Sequence, residues 1–274
     1  MTQPIVSVAW LHNNIKDLNL VILDASFKDN QSEIKTELGN IQIKGARFFD
    51  IKNTFSDPAN PLPNTIPSAE QFELEARKLG INKNSVVVIY DNLGIYSSPR
   101  AWWLFKIMGH QNVAVLNGGL PEWMSQKYDV QAVPEISKYT IGNFEAVFNP
   151  NLVKTKEQIL ENIQNKKEVL IDARGENRFK GIGDEHRPGL RSGHIPNSIN
   201  VPYTQLLQNG KFLPKKELLK VLKTKNRPLI FTCGSGVTAC IDLIAYELIS
   251  TNPKSIYDGS WTEWGQLENL PIEK

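Results

Sequence analysis

The sequence predicts an α/β protein of two tandem domains, each a mainly parallel sheet flanked by helices. Short apolar runs such as Val21-Ile-Leu-Asp-Ala25 and Ser85-Val-Val-Val-Ile-Tyr90 alternate with segments of helical periodicity. That is the pattern of strands buried on both faces and joined by crossover helices. At 274 residues the chain is long enough for two domains of ordinary size, each with its own core. Landmarks of the first half also recur in the second, in the same order, at a period of roughly 145 residues.

The matching landmarks define the elements. Val21-Ile-Leu-Asp-Ala25 corresponds to Val169-Leu-Ile-Asp-Ala173, each an apolar strand ending in Asp-Ala. Gly45-Ala-Arg-Phe-Phe-Asp-Ile51 corresponds to Gly193-His-Ile-Pro-Asn-Ser-Ile-Asn-Val-Pro202, and the strand at 85–90 to Pro228-Leu-Ile-Phe-Thr232. Asn117-Gly-Gly-Leu-Pro-Glu-Trp123 is answered by Asp258-Gly-Ser-Trp-Thr-Glu-Trp264. Four landmarks in register make the chain an internal duplication. The joint falls in the polar, Pro-containing stretch between about Gln131 and Asn151, so domains are expected at 1–140 and 150–274.

Charged residues make up 22% of the chain and the formal net charge is +2, which argues against a protein that wraps nucleic acid or lies on a membrane surface. No apolar run approaches the roughly 18 residues of a membrane span. The N-terminus, Met1 to Trp10, lacks a basic segment followed by an apolar one. A cytoplasmic address is the resulting expectation. Two cysteines seven positions apart make no disulfide framework. His12, His110, His186 and His194 are scattered, so no metal is expected.

The chemistry concentrates in Cys233-Gly-Ser-Gly-Val-Thr-Ala-Cys240. An apolar strand precedes it, and Ile241, Ile244, Ala245, Leu248 and Ile249 recur behind it at helical spacing. Two glycines at a strand-to-helix junction let successive backbone N–H groups converge on one point, where the helix N-terminus adds partial positive charge. Such a cradle stabilises an anion. With a cysteine at its mouth, the anion can be the thiolate or a negatively charged sulfur attached to it. Cys240, about two turns into the helix, reads as a core residue. The residue of the first half that corresponds to Cys233 is Asp91, which cannot be a sulfur nucleophile. Chemistry is therefore expected in the C-terminal half alone.

From Leu23-Asp-Ala-Ser26 to Trp264 the chain resembles the rhodanese superfamily, and within it the two-domain sulfurtransferases. The Cys-Gly-Ser-Gly-Val-Thr loop is similar to that of 3-mercaptopyruvate sulfurtransferases. Thiosulfate-preferring relatives carry basic residues where Gly234 and Ser235 stand. The resemblance implies two rhodanese-like domains, the first non-catalytic, and no cofactor. It implies that Cys233 takes sulfur from a small anionic donor as a persulfide and passes it to cyanide or to a thiol, such as that of a thioredoxin-like protein. The N–H groups of Gly234, Ser235, Gly236, Val237 and Thr238 would cradle the persulfide. Arg178 and Arg187 would bind the donor's carboxylate and carbonyl oxygens, and Asp172 would orient Arg178. A guanidinium fork suits a 2-oxo-carboxylate because it can donate two parallel hydrogen bonds. The histidine proposed as a proton relay in many relatives corresponds to Asn64, so no relay is assigned. A thiosulfate:cyanide sulfurtransferase and a non-catalytic tandem binding module remain alternatives. A Cys-x5-Arg phosphatase is disfavoured, because Ala239 stands where the arginine is needed.

Overall fold

The computed structural model describes residues 3–27, 38–135, 138–222 and 226–274. They fall into two compact units: Met1–Pro58 with Ile66–Phe148 and Asn209–Phe212, and Ala59–Thr65 with Asn149–Gln208 and Leu213–Lys274. Neither unit is one continuous stretch, since each includes a short segment from the other half of the sequence.

The main sheet of the first unit has five strands, β1 (Ile5–Val6), β2 (Leu20–Asp24), β3 (Arg47–Phe48), β4 (Val86–Tyr90) and β5 (Val113–Leu116), in the order β1-β5-β4-β2-β3. Every pairing is parallel. At the centre, β2 runs beside β4 from Leu20↔Val86 to Asp24↔Tyr90. The β-branched run of β4 favours extended backbone, and it is buried from Val87 to Tyr90. Helix α1 (Ser98–Ile107) carries Pro99 in its first turn, where a missing N–H costs nothing, and only Lys106 escapes burial. A helix apolar on nearly every side belongs in a core.

The second unit repeats this plan. The strands of its main sheet are β6 (Val153–Lys154), β7 (Val169–Asp172), β8 (Ile199–Asn200), β9 (Leu229–Thr232) and β10 (Lys254–Tyr257). They are ordered β6-β10-β9-β7-β8, again all parallel. Strand β9 lies between β7 and β10, with Thr232 opposite Asp172. It leads through the cysteine loop into helix α2 (Ala239–Glu247), buried from Ala239 to Tyr246.

Hydrogen bonds repeat with the strands. The Ala25 N–H donates to the Tyr90 carbonyl at 2.9 Å, and the Ala173 N–H to the Thr232 carbonyl at 2.9 Å. One residue further, the Asp91 carbonyl accepts from the Leu120 N–H at 3.1 Å, and the Cys233 carbonyl from the Trp261 N–H at 3.0 Å. Asp91 and Cys233 therefore occupy equivalent places. Trp123 and Trp264 are both fully buried, each indole N–H donating to a backbone carbonyl, of Asp129 and Pro271. Among the described residues no helix is long and apolar enough to cross a membrane.

Candidate active site

Cys233 leaves the end of β9 with only 2% of its surface exposed. The turn that opens the helix Ser260–Trp264 pins the start of its loop. The Cys233 N–H points to Ser260 Oγ at 3.4 Å, and the Gly234 carbonyl accepts from the Thr262 N–H at 2.9 Å. Ser260 adopts a left-handed φ of 51°, costly for a serine, while its hydroxyl donates to the Tyr257 carbonyl at 2.9 Å. Gly236, at φ 74°, turns the chain toward α2, a conformation glycine takes without penalty. The Cys240 thiol donates to the Gly236 carbonyl at 3.3 Å and thereby holds that turn. Both cysteines are free and buried. Among the described residues, the N–H groups of Gly234, Ser235, Val237 and Thr238 meet no hydrogen-bond acceptor. Four donors are thus gathered at a helix N-terminus, beside a sulfur atom.

The expected arginine sits over this loop. Arg178 belongs to the short helix Glu176–Phe179, and a methyl group added at Gly234 would come within 3.3 Å of its Nη2. A larger residue at position 234 would push the guanidinium away. Glu185 Oε2 accepts from both Arg178 Nε, at 3.1 Å, and Nη2. Arg187 lies two residues beyond Glu185, half-buried in the same loop.

The partner expected for Asp172 needs correction. Its carboxylate holds Arg174, accepting from Nε at 3.0 Å and Nη2 at 2.7 Å, rather than orienting Arg178 directly. Arg174 follows Asp172 by two residues, so its side chain folds back onto the strand end. The Arg174 Nη1 then donates to Glu185 Oε1 at 2.9 Å, and the guanidinium lies 4.3 Å from the Trp261 ring centre. The outcome is a chain of alternating charge, Asp172, Arg174, Glu185, Arg178, buried up to its partly exposed last member. Burial alone would disfavour a charge on Arg174, but Asp172, Glu185 and the Cys233 sulfur outweigh it and keep the guanidinium cationic. Arg174 was visible in the sequence as part of Asp-Ala-Arg, yet nothing local marked it as buried. Glu185 carried no signal at all.

Two further side chains support the loop. Asn64 Nδ2 donates to Ser235 Oγ at 3.2 Å from a left-handed backbone position, φ 60°, that asparagine tolerates. His194 has a structural role: its Nδ1 is 2.7 Å from the Phe179 carbonyl, and its ring stacks on Phe179 with centroids 3.7 Å apart. It thereby braces the turn that carries Arg178. No group of three metal-ligating side chains converges among the described residues.

A twice-repeated parallel sheet with a cysteine cradle in one copy defines the class. Residues 7–126 and 155–267 each match the rhodanese-like domain, and the chain belongs to that family, carrying two copies in tandem. It is 40% identical to thiosulfate/3-mercaptopyruvate sulfurtransferase 2 of Arabidopsis thaliana, over 98% of this chain and 86% of that one. It is 37% identical to the 3-mercaptopyruvate sulfurtransferase of Escherichia coli K12, over 98% and 97%. The crystal structure of SseA from Escherichia coli, described as a 3-mercaptopyruvate sulfotransferase, superposes with a TM-score of 0.83 at 34% identity, covering 94% of this chain and 99% of that one.

Proposed function

We propose that this protein is a 3-mercaptopyruvate sulfurtransferase, moving sulfur through a persulfide on Cys233 to a thiol or cyanide. The observation that carries the reading is a cysteine set among four unengaged N–H donors, with Arg178 over the same loop. The Cys233 thiolate attacks the donor's sulfur. An S–S bond forms, the donor's C–S bond breaks, and its electron pair passes into the enolate of pyruvate, which then takes a proton. The outer sulfur of the persulfide is held by the N–H groups of residues 234–238 until an acceptor thiolate or cyanide attacks it and releases the Cys233 thiolate. Arg178 and Arg187 bind the carboxylate and carbonyl oxygens of the donor, while Arg174 and Glu185 keep Arg178 in place. Catalysis belongs to the domain at 150–274; the domain at 1–140 is non-catalytic, and the protein works in the cytoplasm.

Thiosulfate is the second donor to consider, because one relative's name carries both donors. The uncharged Gly234-Ser235 pair favours the first, since positive charge then sits on arginines spaced for a carboxylate rather than inside the loop. Intact mass after incubation with each donor tests the proposal. The wild type should gain one sulfur and Cys233→Ala none, with kcat/KM higher for 3-mercaptopyruvate. A gain that survives Cys233→Ala would refute the nucleophile, and a preference for thiosulfate would refute the donor.

A further inference from the structure

Helix α2 carries a carboxyl group that the sulfur transfer does not call on. Asp242 has no exposed surface, and neither of its side-chain oxygens has a hydrogen-bond partner among the described residues. An ionised carboxylate in such a place, with nothing to offset it, costs several kcal/mol. Its position relative to the nucleophile follows from how α2 packs on β9. Phe231 and Tyr246 meet there, ring centroids 5.4 Å apart. Cys233 lies two residues beyond Phe231, so it emerges on the same face, about 6.6 Å further along the strand direction. Asp242 lies four residues before Tyr246, on the same stripe of the helix and about 6 Å closer to its N-terminus. A helix that returns over a parallel sheet runs opposite to the strand it follows, so both steps lead toward the loop. Asp242 stands to Cys233 as Tyr246 stands to Phe231.

We propose that Asp242 and Cys233 form a coupled pair holding one negative charge between them, the carboxyl keeping its proton while the sulfur is ionised as thiolate or persulfide. The proposal rests on the reading of Cys233 as the nucleophile. The groups around Asp242 agree with it. Beyond Cys233, the titratable residues on the elements packed nearby are Asp172 at the end of β7, Tyr203 on the short helix Tyr203–Leu206, Lys254 and Tyr257 on β10, and Cys240, Tyr246 and Glu247 on α2 itself. Asp172 is already clamped by Arg174, and Lys254 by Glu247 and two backbone carbonyls. Burial pushes the Asp242 carboxyl well above the ordinary carboxylate range, and the Cys233 sulfur and the Asp172 carboxylate push it further. In such a pair each proton is lost in a step that belongs to both groups.

The consequence for sulfur transfer is an alkaline limit. A second negative charge under the loop opposes the thiolate, the persulfide and the anionic donor together, so donor capture weakens as Asp242 ionises. Asp242 is a positioning residue in this scheme, acting on the charge of the sulfur without touching substrate.

The test is kcat/KM for 3-mercaptopyruvate against pH, in the wild type, Asp242→Asn and Asp242→Leu. The acid limb should coincide in all three to within about twofold, and the alkaline decline of the wild type should be lost in both variants. An acid limb displaced toward lower pH in the variants would mean that the carboxylate ionises before the thiol, and would overturn the proposal. So would an alkaline decline that persists without the carboxyl. Should neither variant fold, the wild type alone decides through its infrared spectrum with labelled aspartate. The proposal requires a protonated-carboxyl band that disappears over the same pH range as the activity, and it is overturned if every such band outlasts the alkaline decline. Failure of the nucleophile reading shows separately, as a persulfide mass gain retained in Cys233→Ala.

Discussion

After β4 the chain makes a loop whose carboxylate, Asp91, is ringed by its own backbone; after β9 the equivalent loop presents a sulfur to a similar set of donors. Asp91 Oδ1 accepts from the Leu93 N–H at 3.0 Å, and Oδ2 from the N–H groups of Tyr96, Ser97 and Ser98 at 2.8, 3.1 and 2.9 Å. The Ser98 hydroxyl adds a bond at 2.6 Å. The first loop thus fills its anion cradle from within, and the second leaves four donors without an acceptor among the described residues. The strand ends diverge in the same way. Asp24-Ala-Ser26 closes with serine and tyrosine hydroxyls on the carboxylate, at 2.5 and 3.0 Å, whereas Asp172-Ala-Arg174 recruits a guanidinium and through it Glu185 and Arg178. One repeated geometry satisfies its charge internally in the first copy and leaves its donors unengaged in the second.

That contrast can be broken most forcefully at Arg174. Arg174→Met leaves Asp172 and Glu185 buried without their shared partner, and should lower the unfolding free energy by about 3–5 kcal/mol in urea titration. Arg178→Met, at a side chain 26% exposed, should instead leave stability nearly intact and raise KM for the donor by about 10- to 100-fold. Equal losses of stability in the two variants would remove the division between a structural and a substrate-binding arginine.

The first loop offers a sharper trial. Asp91→Cys, made in a Cys233→Ala background, gives the first unit a thiol in its cradle but no chain of arginines. No sulfur gain is expected by intact mass, and stability should fall by about 2–3 kcal/mol as four N–H groups lose a charged acceptor. A persulfide in that variant would show that the cradle suffices without the arginines.

The smallest effect concerns Asp24. Burial raises its pKa above the usual 3.8, and the neighbouring Asp91 charge adds to the rise, outweighing the Ser26 and Tyr90 hydrogen bonds. The folded protein therefore binds this proton more tightly than the unfolded chain does. Its contribution to stability is complete below the unfolded value and is lost as pH climbs through the folded one, at no more than about 1.4 kcal/mol per pH unit. Asp24→Asn should flatten that part of the stability–pH curve. An unchanged curve would mean that the serine and tyrosine bonds fully offset burial.

Much of this was legible in the chain because it is local. Parallel strands buried on both faces announce themselves as β-branched runs, so Val86–Tyr90 and Leu229–Thr232 could be located, and the duplicated Asp-Ala and Glu-Trp landmarks placed Asp91 opposite Cys233 before any fold was known. The segment Ala59–Thr65, which joins the second unit and brings Asn64 to Ser235, was not foreseeable, because short irregular stretches carry no periodicity. Asp242 was equally hidden. A single acidic residue in an apolar helix reads as its solvent face until packing puts it inside.

The sequence by itself determined the twofold repeat, the cysteine at the end of one strand and the glycine-bearing turn behind it, since each depends on residues adjacent in the chain and on backbone preferences that hold anywhere. Only the tertiary structure decided which arginine Asp172 grips, what fills the first cradle and where Asp242 lies. Those are choices among partners distant in sequence, and buried charges are matched by whichever groups the packing brings within hydrogen-bonding reach.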